Sequence, residues 1–384
     1  MTIAAKLLEG CHKKSQGLVQ RRVTNLERSM PLHAMFGDLM IAEFLFMVRI
    51  EPGARVRLAL TVVFLAILVL SLPACLAPTV QTDVGDIVEG RPFRMYSTTD
   101  RLGRTISFYI SEPQMPAMEL PLVVYVQGTG CSSHFTKRGE NIIKGVESLM
   151  YDVFLGQARV LIVEKPGVRF LDDQGELNMQ ESCRPEFFFE HTLERWAEAI
   201  VAAIRSAHSL PSVSNASTLV VGISEGGVVA VRVSNLFDNV THVASLSGGG
   251  PNHLYVAAEY IRRLGLDPEQ HVYDCWKQVQ NDPQSTTKFC FDHPFRHLSG
   301  SYQTSLIEEC LKSSAKLYLV HGSADKSNSV AGFDMMRAEL AAKGRSAVFE
   351  RLEGAGHHLD LPSQVSPEGL LSVFGRLAGW FLGK

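Results

Sequence analysis

The stretch Gly222-Ile223-Ser224-Glu225-Gly226-Gly227 decides how the rest of this chain is interpreted. It follows the apolar run Thr218-Leu219-Val220-Val221 and precedes a stretch typical of a helix, from Val228 to Leu236. Glycines on both sides of a serine permit a strand-to-helix turn so sharp that the hydroxyl stands clear of its neighbours. Such a hydroxyl is a candidate nucleophile where a base and backbone donors lie beside it. The alternative is a glycine-rich turn that carries an ordinary serine.

Strand-like and helix-like segments alternate on both sides of this turn. Apolar residues recur with helical spacing over 193–204 and 370–381, and a further helix is predicted from Val330 to Ala342. The predicted strands are Arg104 to Ser111, Leu122 to Val126, Val160 to Val163, Thr218 to Val221, His242 to Leu246, Lys316 to Val320 and Ala347 to Leu352. This alternation predicts an α/β fold with a doubly wound, mostly parallel sheet. In such sheets the active site lies at the carboxyl ends of the strands.

The charge of the chain is distributed unevenly. Of the 384 residues, 46% are hydrophobic and 20% are charged, which is typical of a globular protein. Residues 1–57 carry nine Lys and Arg against five Asp and Glu, whereas the remaining residues carry 28 against 35. Because the predicted folded part is mildly acidic, nucleic acid is not expected as a partner.

Residues 47–75 have the pattern of a secretory signal. Arg49, Arg55 and Arg57 precede an apolar run from Leu58 to Leu72, and small residues follow it. The stretch Leu72-Pro73-Ala74-Cys75 resembles the lipobox of bacterial lipoproteins, which implies lipidation of Cys75. An uncleaved anchor helix and a buried helix are the alternatives. The signal and the anchor both predict an exported protein, tethered to the membrane in a bacterial cell envelope.

The segments on either side of this signal have weaker patterns. Residues 1–46 are an extension to which we assign no function, because a secretory signal begins near the initiating methionine and Met47 stands in that place. Residues 76–90 contain Pro, Thr, Gln, Asp and Gly without periodicity, which predicts a tether. The catalytic domain is therefore predicted over 91–384.

Two loops at the predicted carboxyl edge of the sheet offer partners for Ser224. Asp325 follows the strand Lys316 to Val320, and His357 follows the strand Ala347 to Leu352 in the sequence Gly354-Ala355-Gly356-His357. The 32 positions between the acid and the histidine leave room for one helix and one strand. The adjacent His358 is the alternative base.

The order Ser, Asp, His and the motifs around these residues resemble those of the α/β-hydrolase superfamily, in its serine esterase and small-peptidase branches. The resemblance covers about residues 90–384. It implies that Ser224 is the nucleophile, that His357 is the general base and that Asp325 orients the imidazole.

A fourth motif, Gln127-Gly128-Thr129-Gly130-Cys131, follows the strand Leu122 to Val126. In the family that it resembles, this loop and the residue after the nucleophile supply the backbone N–H groups of an oxyanion hole. The resemblance therefore implies that Thr129, or alternatively Gly130, and Glu225 are the donors. Gln127 stands where the family often has histidine. A glycine-rich turn without a role is the alternative.

The alternation of strands and helices fails over residues 251–313, which are polar and rich in aromatic residues. In the superfamily an insertion at this place is commonly a lid that selects the substrate. Its aromatic side chains could line an acyl or aryl pocket, or form the core of the lid itself.

Five cysteines follow Cys75, and in an oxidising envelope they would form two disulfides and leave one free thiol. The spacing does not fix their connectivity, and we favour the pairs Cys131–Cys183 and Cys275–Cys290. A metal site that combines Cys275 and Cys290 with His271 and His293 is the alternative. No metal is expected, because hydrolysis by a triad needs none.

The sequence thus predicts an exported serine hydrolase that cleaves an ester, a thioester or a small amide through an acyl-enzyme. No cofactor is expected, since a nucleotide-binding glycine motif is missing. The substrate would be a small molecule or an acyl or peptidyl group. The alternative is a catalytically inactive hydrolase-like domain that serves as a binding or scaffold protein of the envelope.

Overall fold

A computed structural model describes residues 79–88, 91–115, 118–138, 141–143, 145–175 and 178–384. The strands are β1 (Thr79–Val88), β2 (Arg91–Thr99), β3 (Thr105–Ser111), β4 (Leu120–Val126), β5 (Thr136–Arg138), β6 (Asn141–Ile143), β7 (Arg159–Val163), β8 (Val213–Ile223), β9 (His242–Leu246), β10 (Phe289–Cys290), β11 (His293–Pro294), β12 (Lys316–Gly322) and β13 (Val348–Leu352). The α-helices are α1 (Val146–Phe154), α2 (Met179–Ser182), α3 (Pro185–Glu190), α4 (Leu193–Ala207), α5 (Glu225–Leu236), α6 (His253–Arg263), α7 (Asp274–Asn281), α8 (Phe295–Ser301), α9 (Leu306–Lys312), α10 (Val330–Ala342) and α11 (Glu368–Leu382), and a π-helix spans Glu269–Tyr273.

Within these residues the main sheet has nine strands in the order β1-β2-β3-β7-β4-β8-β9-β12-β13. The six strands from β7 to β13 in this order are parallel, and β1, β2 and β3 extend the sheet by antiparallel pairing. Parallel strands need crossover helices on the faces of the sheet, and both faces are covered here. The predicted mostly parallel α/β fold is confirmed.

Each face of the sheet packs against its own set of helices. On one face, α4, α5 and α10 bury their apolar residues against β4, β8 and β12. On the other face, α1 and α11 do the same. The apolar stripe predicted over 193–204 is buried on α4, whose first turn is capped by the Thr192 hydroxyl. The strands are buried on both sides, which explains their short runs of Val, Leu and Ile.

The tether predicted over 76–90 is wrong for most of its length, because residues Thr79–Val88 form β1 at the edge of the sheet. The pairing of β1 with β2 changes register at three places, between Val80 and Thr82, between Asp83 and Gly85, and between Gly85 and Val88. Such irregularities interrupt the alternation of side chains that identifies a strand in a sequence. The strand β1 therefore pairs with β2 although its sequence lacks the alternation of polar and apolar residues that identifies a strand.

The residues between β9 and β12 form α6, the π-helix, α7, α8 and α9, with the short hairpin of β10 and β11. Several of their aromatic residues form a small core of their own, in which Phe295, Tyr302 and Cys275 are buried in one cluster. Both expected disulfides are confirmed, Cys131–Cys183 and Cys275–Cys290, and Cys310 is a buried free thiol. The alternative metal site at Cys275 and Cys290 is thereby excluded in this oxidised form.

The predicted extension, the signal and the lipidation site Cys75 lie outside the described residues. None of the helices in the described ranges combines the length and the apolar character that a membrane crossing requires.

Candidate active site

Ser224 stands on the sharp turn between β8 and α5. Its backbone has φ of 55° and ψ of −124°, a conformation that side-chain-bearing residues seldom adopt and that persists only where the surroundings hold it. A Cβ on Gly222 would collide with the carbonyl oxygen of Gly226, and a Cβ on Gly226 would collide with that of Gln127. Both glycines are therefore required by close backbone approach. The turn has the geometry that the sequence predicts for a nucleophile.

Asp325 and His357 are brought together at the same edge of the sheet. His357 Nδ1 lies 2.8 Å from Asp325 Oδ2, and the side chain of Asp325 is fully buried. The other carboxylate oxygen, Oδ1, accepts hydrogen bonds from the backbone N–H groups of Ser327 and Asn328 at 2.8 and 2.9 Å. These three bonds fix the plane of the carboxylate and hold the imidazole by one nitrogen.

The electrostatics of Asp325 favour its ionised form. Burial alone would raise the pKa of the carboxyl, but the hydrogen bond and charge of His357, with the backbone donor of Asn328, lower the pKa below its ordinary value. An ionised carboxylate accepts a hydrogen bond from the N–H group at Nδ1, so the neutral ring keeps its proton on Nδ1 and Nε2 of His357 is the acceptor nitrogen.

A second histidine, His321, faces the same carboxylate. Its Nε2 lies 3.5 Å from Asp325 Oδ2 and 3.3 Å from the carbonyl oxygen of Asn328, and its ring stacks on Phe333. Burial lowers the pKa of His321, against the attraction of Asp325. Sequence reasoning assigned His321 no role, although it begins the segment that contains Asp325.

The loops that carry Ser224 and His357 are anchored at adjacent residues. The N–H of Ser224 donates to the carbonyl oxygen of Leu246 at 2.8 Å, and the hydroxyl of Ser247 donates to the carbonyl oxygen of His357 at 2.8 Å. Ser224 follows β8 and Ser247 follows β9, while the loops with Asp325 and His357 follow β12 and β13. These four strands are neighbours and parallel in the sheet. In the described part of the chain no hydrogen bond joins the Ser224 hydroxyl to the His357 imidazole. His358, the alternative base, is exposed.

Within the described chain, two residues with unpaired backbone N–H groups line the cavity beside Ser224. Thr129, Ser224 and Glu225 line the same cavity of about 240 Å³. Among the described residues, neither the N–H of Thr129 nor that of Glu225 has an acceptor. A side chain on Gly128 would lie 3.3 Å from Ser224 Cβ, so the loop that carries Thr129 passes directly beside the serine. Unpaired N–H groups in this position suit an oxyanion.

The insertion forms much of the cavity wall, through His253, Tyr260, His293, His297, Ser301 and Tyr302. His297 is part of a column of parallel rings, with His191 centred 5.1 Å away on one side and His293 4.9 Å away on the other. Burial, and then the neighbouring His297, lower the pKa of His293 to about 4. This ring is therefore neutral near pH 7.

The side chain of Glu225 joins the insertion to the loop of Thr129. Its Oε1 lies 2.7 Å from His297 Nε2, and its Oε2 accepts a hydrogen bond from the Thr129 hydroxyl at 3.2 Å. Burial would raise the pKa of Glu225, but the charge and hydrogen bond of His297 outweigh it and hold the pKa well below its ordinary value. Sequence reasoning assigned Glu225 only its backbone N–H and did not find His297.

His191, Glu225 and His297 could together surround a metal ion, since one ligand atom from each lies within 4.8 Å of the others. The second nitrogen of a metal-bound histidine usually donates to a carboxylate, carbonyl or water. Here Nδ1 of His191 and Nδ1 of His297 are buried without a protein partner in the part of the chain described. The set has the size of a metal site but lacks the supporting hydrogen bonds, so we assign no metal to it.

Comparisons with known proteins agree with this architecture. Residues 200–374 match the family described as BAAT / Acyl-CoA thioester hydrolase C terminal. Dipeptidyl peptidase 4 of Porphyromonas gingivalis superimposes with a TM-score of 0.52 at 12% identity, over 77% of this chain and 36% of that one. The acylaminoacyl peptidase of Pyrococcus horikoshii gives a TM-score of 0.52 at 14% identity, over 75% of this chain and 41% of that one. The chain has the α/β-hydrolase fold.

Both of these structures are much longer than this chain. The α/β-hydrolase chain described here spans about two fifths of the length of these two structures, and identities this low establish the fold alone. A search of curated proteins found no match. The family match and the fold support a hydrolase.

Proposed function

We propose that this protein is a serine hydrolase that cleaves an ester, a thioester or a small amide through an acyl-enzyme on Ser224. The observation that carries the proposal is the 2.8 Å bond between His357 and a buried, ionised Asp325, at the same strand edge as the strained Ser224. A buried carboxylate that orients an imidazole beside a serine elbow has the chemistry of a catalytic triad.

In the proposed mechanism the Ser224 hydroxyl attacks the carbonyl carbon while His357 Nε2 accepts its proton. Asp325 stabilises the imidazolium through Nδ1. The N–H groups of Thr129 and Glu225 donate to the oxygen that becomes negative in the tetrahedral intermediate. His357 then protonates the leaving group, and a water molecule repeats the sequence to release the acid.

The hydrogen bond between Ser224 and His357 would form when substrate binds. Catalytic hydrogen bonds are often long or misaligned in free enzymes and shorten in the complex with substrate. A rotation of the Ser224 side chain about its Cα–Cβ bond moves the hydroxyl without moving the strained backbone. The two loops that hold these residues already share their anchor at Leu246 and Ser247.

The size of the cavity supports a small substrate. A volume of about 240 Å³ is below the usual range of pockets for drug-sized ligands, so a short acyl group or a single ring would fit at the reacting end. The name of the matched family supports a thioester as one member of the substrate class.

We also propose that the protein is exported and tethered through Cys75. The two disulfides support an oxidising compartment, because cytosolic thiols are kept reduced. Metabolic labelling of cells with a radioactive fatty acid tests this proposal. Incorporation that disappears in Cys75→Ser is the expected result, and an unlabelled wild-type protein would contradict it.

Hydrolysis of p-nitrophenyl esters of graded chain length tests the catalytic proposal. We expect turnover of the short esters by the wild-type protein and a loss of at least 10³-fold in Ser224→Ala. Turnover that survives in Ser224→Ala, or a wild-type protein inert towards the whole series and towards thioesters and aminoacyl amides, would contradict it.

A further inference from the structure

Lys165 is a buried cation directly after β7. The whole residue is 1% exposed, and among the described residues no salt bridge joins its ammonium group to a carboxylate, although the charges of Glu225 and Glu164 favour the ammonium form from a greater distance. Its Nζ donates instead to the carbonyl oxygens of Gly128 and Gly130, at 2.5 and 2.6 Å, and lies 4.9 Å from the centre of the Trp196 ring. An ammonium without a paired anion is costly to bury, so this contact is a candidate for function.

The two carbonyl groups belong to the loop beside Ser224. Across a trans peptide bond the N–H points away from the carbonyl oxygen. Lys165 therefore fixes the directions of the N–H groups of Thr129 and Cys131. The N–H of Cys131 donates to Gln174 Oε1 at 3.2 Å, whereas that of Thr129 has no acceptor among the described residues and belongs to a residue that lines the cavity. The N–H of Cys131 is thus used within the fold, whereas the N–H of Thr129 is available to a ligand.

We infer that Lys165 is a positioning residue that aims the Thr129 N–H at the oxyanion and strengthens it as a donor. This inference rests on the proposed hydrolase function. A cation bound to the carbonyl oxygen polarises the peptide group and makes its N–H more positive. The same charge lies behind the site where negative charge develops, in a part of the protein that excludes water.

Other contacts already hold the loop in place. The disulfide Cys131–Cys183 ties the end of the loop to the segment before α3, and Gln127 Nε2 donates to the carbonyl oxygen of Ser132 at 2.8 Å. A loop so restrained has no need of a buried charge to keep its general position. The charge is needed for the direction and strength of one N–H group.

The variant Lys165→Met tests this role, because methionine keeps most of the apolar stem and removes the donors. Arg159→Met is the matched control. Arg159 is also buried and also holds backbone carbonyl oxygens, those of Ser111 and Pro211, but it begins β7, whereas Lys165 follows the other end of this strand. Both variants are compared with the wild type in kcat and KM on a p-nitrophenyl ester. The Ki of an arylboronic acid, which forms a tetrahedral adduct on the serine, is measured in parallel.

For Lys165→Met we expect kcat to fall by about 10- to 100-fold with KM within twofold of the wild type, because loss of a complete oxyanion donor costs about 10²- to 10³-fold. The Ki of the boronic acid should rise by the factor by which kcat/KM falls. Arg159→Met should lower the melting temperature and leave kcat and Ki within twofold. Lys165→Gln keeps a shorter, neutral donor, so its kcat should lie between those of the wild type and Lys165→Met. If Lys165→Met does not fold, the same comparison is made with Lys165→Gln.

A kcat within twofold of the wild type in Lys165→Met, or an unchanged Ki despite a lower kcat, would overturn the inference. An equal loss of kcat in Arg159→Met would also overturn it, since any lost buried cation would then have the same effect. Failure of the hydrolase proposal itself is recognised separately, because the wild-type protein would then neither hydrolyse the ester nor bind the boronic acid.

Discussion

The substitution Asp325→Asn should remove most of the activity and leave the fold intact, for a reason visible in the hydrogen bonds of the carboxylate. Oδ1 accepts from two backbone N–H groups, at 2.8 and 2.9 Å. In the variant the amide oxygen must take this place, because an NH₂ group there would face two donors. The NH₂ group is then directed at His357 Nδ1, which lies 2.8 Å from the present Oδ2.

This arrangement reverses the tautomer of the imidazole. Nδ1 must accept a hydrogen bond from the amide NH₂ group, so the neutral ring carries its own proton on Nε2 and has no lone pair there for the Ser224 hydroxyl. In a serine protease the corresponding change lowers kcat by about 10⁴-fold, which equals about 5.5 kcal/mol in the activation free energy. We expect a loss of this order in kcat, with a circular dichroism spectrum like that of the wild type.

The assay is the steady-state hydrolysis of a short p-nitrophenyl ester. Asp238→Asn is the matched control and should retain full activity, because this exposed aspartate follows the C-terminal end of α5, whereas Ser224 precedes its N-terminal end. If kcat of Asp325→Asn stays within tenfold of the wild type while its fold is intact, Asp325 does not set the tautomer of His357. The acid of the triad would then have to be sought elsewhere.

Three further predictions concern the turn, the buried carboxyls and the disulfides. Gly222→Ala should abolish turnover and lower the melting temperature, since its Cβ would collide with the carbonyl oxygen of Gly226; a variant that is active and as stable as the wild type would contradict this. Burial raises the pKa of Glu164 to about 7, although its hydrogen bonds act in the opposite direction. Between about pH 4.5 and 7 the folded state therefore binds more protons than the unfolded state, and the free energy of unfolding should fall as pH rises through this range. Glu164→Gln should reduce that fall by on the order of 3 kcal/mol in urea titrations at pH 5 and pH 8, and an unchanged pH dependence would show that Glu164 is not protonated in the fold. The cysteines of the disulfide Cys131–Cys183 are 52 positions apart, so its loss in the Cys131→Ala/Cys183→Ala variant should lower the free energy of unfolding by about 4 kcal/mol. Denaturant titrations measure this, and equal stability of the variant and the wild type would contradict the prediction.

The parts of the fold that could be predicted from the sequence are those in which local pattern and tertiary role agree. The strand His242–Leu246 and the helix Val330–Ala342 have the predicted bounds. The strand is a short apolar run that is buried at every residue, and the helix ends before Gly344, whose φ of 68° suits a helix end. The sharp turn at Ser224 could also be predicted, because the close backbone approach at Gly222 and Gly226 requires glycine at both positions. Chain order alone was enough to place Asp325 and His357 at one edge of the sheet.

The contacts that were missed depend on residues distant in the sequence. Thr129 lies in the loop after β4, Glu225 begins α5 and His297 belongs to the insertion. No local sequence pattern predicts the hydrogen bonds between them. For Lys165 the sequence does contain one indication of a functional role. This residue follows Glu164 directly after a wholly buried strand, where a charged pair is unusual and suggests a role at the carboxyl edge.

The central claim is that Ser224 is the activated nucleophile and His357 its base. Mass spectrometry of the protein after treatment with a fluorophosphonate tests this most directly, with the modified residue located by peptide mapping. We predict a single adduct on Ser224, lost in Ser224→Ala and slowed by orders of magnitude in His357→Ala but not in His358→Ala. An adduct on another residue, an unmodified wild-type protein, or labelling that depends on His358 instead of His357 would contradict the account.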